Sequence, residues 1–211
     1  MNYQLDVYKI FSSLQGESSW QGIPCVFIRL AGCPLNCSWC DTRDARKPQG
    51  YYYTFDEILD KVASYGLKLV EVTGGEPLWQ EHSTDLLLAL LEEGYTVLLE
   101  TSGAFSLDKV PDDVHIIMDV KPPSSGEKNS LKTENFTKLT EKDEVKFPVA
   151  SREDFDYALG IINKYPTLKA KILFSPVEPL MSPSKLGNWV LNEGPPMSRM
   201  QIQLHKILKM Q

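Results

Sequence analysis

Residues 33–40 have the sequence CPLNCSWC, which places Cys33, Cys37 and Cys40 in a C-x3-C-x2-C pattern. The segment directly follows residues 25–30, an apolar run that predicts a β-strand. Three thiolates on one short loop can hold three irons of a cubane cluster and leave the fourth iron open to another ligand. A closed structural zinc site would need a fourth protein ligand, and the next histidine after Cys40 is His82. The spacing therefore favours a [4Fe–4S] cluster over its alternatives, a zinc-stabilised loop or three unrelated cysteines.

The fourth cysteine, Cys25, lies inside the apolar run, where we expect a small buried core residue. All cysteines of the chain fall within residues 25–40. Disulfides in small secreted proteins usually tie distant segments together, whereas a tight group of reduced thiols indicates a metal centre. We therefore expect free thiols and a bound metal.

The composition indicates one globular domain spanning residues 1–211. Hydrophobic residues make up 42% of the chain and charged residues 24%, which is an ordinary balance. No apolar run approaches the roughly 18 residues that span a bilayer, and the first residues carry neither a basic nor an apolar signal region. We therefore expect a cytoplasmic protein with no membrane partner. The net charge of −6 argues against a nucleic-acid partner, because such domains usually carry a basic excess.

Strand-like and helix-like segments alternate along the chain. Strands are predicted at residues 5–11, 25–30, 67–73, 95–101, 114–120, 144–149, 171–174 and 200–204, and helices at 54–65, 83–93, 151–164 and 182–192. This alternation predicts an α/β fold with a mainly parallel sheet covered by helices. A complete eight-unit barrel needs about 250 residues, so a chain of 211 residues predicts an incomplete (β/α) barrel. The functional site is expected where the strands end.

A second motif, TGGEP at residues 73–77, follows another predicted strand. Its two glycines would let the backbone approach a ligand closely, and the carboxylate of Glu76 suits an ammonium group. Alone, the motif would be an ordinary turn. In combination with the cysteine loop, it favours a ligand site.

The cysteine loop and the TGGEP motif together resemble the radical S-adenosylmethionine (SAM) superfamily, and so imply an incomplete barrel of radical SAM type. Further segments look like the 7-carboxy-7-deazaguanine synthase family within it, and the resemblance runs through most of the chain. These segments are IFSSLQGE at 10–17, RLAGC at 29–33, WCDT at 39–42, ETSG at 100–103, KPPSSG at 121–126 and QLHK at 203–206. The first and last of them discriminate between subfamilies, whereas the cysteine loop and TGGEP do not.

The resemblance implies a lyase-type radical SAM enzyme of 7-deazapurine and queuosine biosynthesis. Its substrate would be 6-carboxy-5,6,7,8-tetrahydropterin, and its product would be 7-carboxy-7-deazaguanine, formed by ring contraction with loss of ammonia. The implied cofactors are a [4Fe–4S] cluster, Mg²⁺ and SAM, whose cleavage gives a radical that abstracts hydrogen from the substrate. The implied partners are the pterin, a second copy of the chain in a homodimer, and a flavodoxin-type electron donor.

The resemblance also implies roles for individual residues. Cys33, Cys37 and Cys40 would be the catalytic cluster ligands, and Thr42 would bind Mg²⁺ through its hydroxyl. The substrate would contact Leu14, Gln15, Gly16, Glu17, Arg29, Thr73, His205 and Gln211. SAM would contact Trp39, Asp41, Gly75, Glu76, Ser102, Asp119, Val120, Lys121, Ser175, Pro176, Val177 and Glu178. Among these, Arg29 would pair with the substrate carboxylate, and Glu76 would receive the amino group of SAM.

The residue types alone leave plainer interpretations open. Arg29 fits a surface ion pair, Thr42 a loop cap, and residues 15–17 a solvated turn. At the level of function, another radical SAM activity, such as a glycyl-radical activase, would share the cysteine loop and TGGEP. A non-enzymatic iron–sulfur or zinc module would need a fourth protein ligand. Residues 51–53 and 129–142 receive no assigned role, and residues 209–211 depart from the pattern that the resemblance implies.

Overall fold

The computed structural model describes residues 3–210. The strands are β1 (Gln4–Leu14), β2 (Pro24–Leu30), β3 (Tyr52–Thr54), β4 (Leu69–Gly74), β5 (Thr96–Thr101), β6 (His115–Asp119), β7 (Glu144–Val149), β8 (Lys171–Pro176) and β9 (Arg199–Met200). The α-helices are α1 (Phe55–Ala63), α2 (Ser83–Glu92), α3 (Arg152–Lys164), α4 (Pro183–Glu193) and α5 (Leu204–Leu208).

These strands form one open sheet in the order β3-β1-β2-β4-β5-β6-β7-β8-β9. From β2 to β9 every neighbouring pair is parallel, whereas β1 runs antiparallel to both β2 and β3. The predicted α/β fold with a mainly parallel, incomplete barrel is therefore confirmed. None of the helices within residues 3–210 is long and apolar enough to cross a membrane.

Two helices begin at the capping pairs that the sequence predicts. The backbone N–H of Thr54 donates to Glu57 Oε2 at 2.8 Å, and Glu57 N donates back to Thr54 Oγ1 at 3.3 Å. Ser151 and Asp154 exchange the same two bonds at 3.1 and 3.2 Å. Each pair satisfies two N–H groups that lack a partner at a helix start, which is why α1 and α3 begin at these residues.

The chain departs from the predicted elements near its end and at one sheet edge. A strand predicted at 200–204 is wrong, because β9 ends at Met200 and α5 starts at Leu204. The tail instead folds back, with Leu204 N donating to Gly16 O at 2.9 Å. The edge strand β3, which was not predicted, pairs with the start of β1, and its tyrosines are exposed.

Alternate residues of the central strands pack on opposite faces of the sheet. On β2, Val26 and Ile28 belong to the large core beneath the helices, whereas Cys25 and Phe27 belong to a smaller cluster. This alternation follows from the two-residue period of a strand. Cys25 is fully buried in that smaller cluster, as predicted. Charged residues on the same face of the sheet line a cavity at the end of the parallel strands.

Candidate active site

A cavity of about 470 Å³ lies where the parallel strands end. Cys33 reaches it from the loop after β2, Gly75 from the loop after β4, and Ser102 from the loop after β5. Lys121 follows β6, and Val177 follows β8. Parallel strands bring their carboxyl ends to one edge, so five loops that are distant in sequence share one cavity.

The cysteine loop lines this cavity with all three of its thiols, those of Cys33, Cys37 and Cys40. Backbone bonds hold it against the segment that follows: Gly32 N donates to Ala45 O at 2.7 Å, and Cys33 N donates to Arg46 O at 2.9 Å. Because both bonds anchor the start of the loop, its cysteines are held at the cavity wall.

The donor set fits a [4Fe–4S] cluster. The three loop cysteines are free thiols. Within residues 3–210, no group of three His, Cys, Asp or Glu side chains is arranged to hold one metal ion. A cubane places each thiolate on a different iron and leaves one iron without a protein ligand. Three thiols around a shared cavity supply that arrangement.

The thiols must lose protons when metal binds. Burial raises the pKa of Cys37 to about 11, although the nearby charge of Lys121 acts in the opposite direction. Burial also raises the pKa of Cys33. Cluster assembly therefore competes with protons for these sulfurs.

The TGGEP turn packs directly on the cysteine loop. A Cβ at Gly75 would lie 2.1 Å from Gly32 O and 2.9 Å from Cys33 Cβ. Any larger residue would separate the two loops. The glycine therefore permits contact between the two loops, a role that the sequence did not predict.

The carboxylate of Glu76 is held by neighbouring groups of the protein. Its side chain is fully buried and is not among the residues that line the cavity. The carboxylate accepts hydrogen bonds from Thr101 Oγ1 at 2.7 Å, from Ser102 N at 2.7 Å and from Ser102 Oγ at 2.5 Å. Because these donors at the end of β5 already satisfy it, Glu76 ties the TGGEP turn to β5. That Glu76 receives the amino group of SAM stays a prediction.

The cavity gathers nearly all of the other predicted site residues. They are Leu14, Gln15, Gly16, Glu17, Arg29, Trp39, Asp41, Thr42, Thr73, Gly75, Ser102, Asp119, Lys121, Ser175, Pro176, Val177, Glu178 and His205. Val120 is an exception, because its side chain is buried away from the cavity among the apolar residues of the large core. Gln211 lies outside the described residues.

Lys146 on β7 forms the centre of a buried ionic network. Its Nζ lies 2.7 Å from Glu17 Oε2, 2.5 Å from Glu100 Oε1 and 3.1 Å from Asp119 Oδ2. Burial alone would lower the pKa of Lys146, but these three carboxylates raise it well above its ordinary value. One cation thus connects the loop after β1 with the ends of β5 and β6.

A second cation stands between this network and the cysteine loop. Lys121 Nζ lies 3.2 Å from Asp119 Oδ1 and 5.8 Å from the centroid of the Trp39 ring. Burial would raise the pKa of Asp119, but Lys121 and Lys146 lower it below its ordinary value. Asp119 is therefore a carboxylate between two lysines at neutral pH.

The C-terminal tail closes the side of the cavity formed by residues 14–17. Gln203 Nε2 donates to Glu17 Oε1 at 2.7 Å, and Lys206 Nζ donates to Asp41 Oδ2 at 3.1 Å. The ring of His205 lies directly over Gly16, because a Cβ there would be 1.9 Å from His205 Nδ1. Burial lowers the pKa of His205, so its imidazole is neutral at pH 7.

Glu71, Glu100 and Lys146 also line the cavity, although they were not predicted as site residues. The sequence did carry a signal for them. Each is a charged residue in a mostly apolar strand, in LVEVTG, TVLLET and EVKFPV. Charged residues are rarely buried without partners, so such positions indicate a polar site on one face of the sheet.

Comparison with known proteins gives consistent results. The profile of the radical SAM superfamily matches residues 27–121. The chain is 44% identical to the 7-carboxy-7-deazaguanine synthase of Chlorobaculum tepidum, over 97% of this chain and 94% of that protein. It is 40% identical to the Koribacter versatilis protein of the same name, over 97% of this chain and 96% of that protein. The crystal structure of QueE from Escherichia coli superposes with a TM-score of 0.77 at 20% identity, covering 96% of this chain and 95% of that one.

Proposed function

The chain belongs to the 7-carboxy-7-deazaguanine synthase family of radical SAM enzymes, and from this premise we propose that it converts 6-carboxy-5,6,7,8-tetrahydropterin to 7-carboxy-7-deazaguanine with loss of ammonia. The main support for the proposal is that the three loop thiols and a group of paired acidic and basic side chains line the same cavity. A cluster alone would not need these paired side chains, whereas a charged heterocycle needs groups that hold it in one orientation.

Cys33, Cys37 and Cys40 would hold the cluster, and SAM would lie beside it. When bound, the cluster and SAM supply the one-electron cleavage chemistry that starts the ring contraction. Trp39, Asp41, Gly75, Ser102, Asp119, Lys121 and residues 175–178 line the wall on which SAM would rest. Glu76 would act by holding the TGGEP turn through Thr101 and Ser102.

Arg29 would bind the carboxylate of the substrate. It stands at the end of β2, half-buried in the cavity, and its guanidinium lies 5.9 Å from the centroid of the Phe11 ring. A guanidinium can bind a carboxylate through two parallel hydrogen bonds. Thr73 would stand beside it, with its hydroxyl already donating to Glu100 Oε2 at 3.1 Å.

Residues 14–17 and His205 would hold the opposite edge of the pterin. The neutral imidazole of His205 can donate a hydrogen bond from one ring nitrogen and accept one at the other. Because the tail is bonded to Glu17 and Asp41, it would also exclude water from the radical. Gln211 would extend this contact.

We further propose Mg²⁺ at Thr42, a homodimer, a flavodoxin-type electron donor and a cytoplasmic location. Thr42 lines the cavity next to Asp41, which supports a magnesium ion held by oxygen ligands and water. Reduced thiols support the location, because a reducing compartment keeps a cluster loop free of disulfides. The dimer and the donor rest on family membership alone.

The proposal is tested by anaerobic reconstitution with iron and sulfide, followed by SAM, Mg²⁺, dithionite and 6-carboxytetrahydropterin. We expect 7-carboxy-7-deazaguanine by mass spectrometry. SAM cleavage without this product would support another radical SAM activity, such as that of a glycyl-radical activase. Zinc binding in place of an iron–sulfur cluster would refute the enzymatic assignment.

Two cysteine variants make a matched pair for this experiment. Cys37→Ala removes a thiol that lines the cavity, so we expect loss of the cluster absorbance and of product. Cys25→Ala removes a thiol that is buried in the apolar cluster, and we expect it to retain its iron and its activity. Equal iron retention in both variants would show that the cluster does not depend on the thiol of Cys37.

A further inference from the structure

Glu71 is a buried acid in the floor of the cavity that the proposed reaction does not use. It stands on β4, with Phe27 of β2 and Leu98 of β5 as its register partners. Its exposed fraction is 2%, yet it lines the cavity. Burying an acid among apolar neighbours costs free energy unless hydrogen bonds compensate it. The hydrogen-bond partner of Glu71 therefore indicates its role.

That partner is Gln15, which follows β1. Gln15 Nε2 donates a short hydrogen bond to Glu71 Oε2, and Gln15 Oε1 accepts one from Glu17 N at 2.7 Å. Both ends of the amide are thereby occupied within the protein. This arrangement differs from the expectation that the amide of Gln15 itself grips the pterin.

The bonds continue from Glu71 to the ionic network. Glu17, whose N–H is held by Gln15, places its carboxylate 2.7 Å from Lys146 Nζ and 2.7 Å from Gln203 Nε2. A flip of the Gln15 amide would place its NH2 group against the N–H of Glu17, and the hydrogen bond between Gln15 and Glu17 would be lost. An acceptor oxygen at position 71 is what prevents the flip.

We propose that Glu71 is a positioning residue for substrate binding, which holds the Gln15 amide in one orientation and thereby holds residues 15–17 against the pterin. The inference rests on the proposed function, because it assigns Glu71 to the binding of that substrate.

The electrostatic surroundings favour a neutral acid at this position. Burial and the charges of Glu100 and Glu17 raise the pKa of Glu71 well above its ordinary value, against the opposing charges of Lys146 and Arg29. The acid needs only an acceptor oxygen to hold Gln15. A neutral amide of the same shape therefore supplies the same contact.

The test compares Glu71→Gln with Glu71→Leu in the reconstituted holoenzyme. Binding of the oxidised analogue 6-carboxypterin is measured by equilibrium dialysis, and KM and kcat are measured with the tetrahydropterin. We expect Glu71→Leu to raise Kd and KM about tenfold, since it removes the partner of a buried amide, with kcat within about twofold. We expect the conservative Glu71→Gln to keep both constants close to the parent values.

A double-mutant cycle separates positioning from a general loss of packing. Gln15→Met removes the amide, so adding Glu71→Leu to it should weaken binding by no more than about twofold further. Glu144→Gln is the matched control. Glu144 is another fully buried acid, but it bonds Ser19 N at 2.8 Å and does not line the cavity. It should bind the analogue like the parent protein.

The outcomes distinguish a failure of the positioning role of Glu71 from a failure of the proposed function. Parent-like binding by Glu71→Leu refutes the positioning role and leaves the proposed function intact. Binding by Glu71→Gln that is as weak as binding by Glu71→Leu would show that a negative charge is needed at position 71. That result would refute the proposal that a neutral acid holds the Gln15 amide. If the parent protein neither binds the analogue nor forms product, the function fails, and the role of Glu71 fails with it.

Discussion

At the scale of single residues, Gly16 determines how closely the tail approaches the loop after β1. Alanine would place its Cβ inside the His205 ring, 1.9 Å from Nδ1. Overpacking of this kind typically costs about 1–3 kcal/mol, and the ring must leave the cavity. We expect Gly16→Ala to raise KM for the pterin about tenfold.

The matched control is Gly160→Ala on α3, where a Cβ meets nothing within 4 Å. It should leave KM unchanged and slightly increase the free energy of unfolding, because alanine favours the helix by up to about 1 kcal/mol. A parent-like KM in Gly16→Ala would mean that His205 does not need its observed position.

Lys146 is the residue on which the buried ionic network depends. Lys146→Met leaves Glu17, Glu100 and Asp119 without their common cation. Removing one partner of a buried ion pair typically costs about 3–5 kcal/mol, so we expect the free energy of unfolding in urea to fall by about 3 kcal/mol.

Lys146→Arg keeps the charge but changes its geometry, and it should recover part of this stability. Equal stability of Lys146→Met and the parent protein would show that the three carboxylates take up protons or water at little cost.

At the scale of elements, Asp143 joins three parts of the sheet just before β7. Its side chain is buried and accepts from Ile116 N at 2.9 Å and from Thr140 N at 2.8 Å, while its carbonyl accepts from Lys171 N at 2.9 Å. Burial would raise the pKa of Asp143, but the bonds from Ile116, Thr140 and Lys142 lower it below its ordinary value. The carboxylate form is therefore the one that stabilises this junction.

This lowered pKa predicts a pH-dependent contribution to stability. The folded-state pKa lies below the unfolded one, so the contribution is complete above the unfolded pKa of about 3.9. It is lost as the pH falls through the folded pKa. We expect Asp143→Asn to be about 2 kcal/mol less stable than the parent at pH 7. In urea titrations, the difference should shrink below about pH 4, and a constant difference would exclude ionisation as its origin.

At the scale of the whole molecule, one sheet contains every strand between residues 3 and 210. The large core likewise extends from Leu5 on β1 to Leu186 on α4. We predict that the chain is one domain, so the metal-free protein should unfold in one urea transition. Far-UV circular dichroism and tryptophan fluorescence should give coincident curves. Two separated transitions would show that the antiparallel edge or the C-terminal third folds independently.

Local patterns in the sequence predicted the parts of the fold that local interactions form. The capping pairs at Thr54 and Ser151 start α1 and α3 because both partners lie three residues apart. The cysteine loop was equally visible, since its three thiols share a short segment. The strand predicted at 200–204 was wrong because the tail forms hydrogen bonds with Gly16 and Glu17, which are far away in sequence.

Sequence patterns were enough to predict the alternation of strands and helices, the cluster loop, and the end of the sheet at which the site lies. The pairing of the buried charges became visible only in the folded structure. Lys146 meets acids from three other segments, Glu76 turns towards β5, and Glu71 meets the Gln15 amide. The physical reason is that a helix cap or a strand period involves near neighbours, whereas buried charges are satisfied by whatever groups the folded sheet brings within hydrogen-bonding distance.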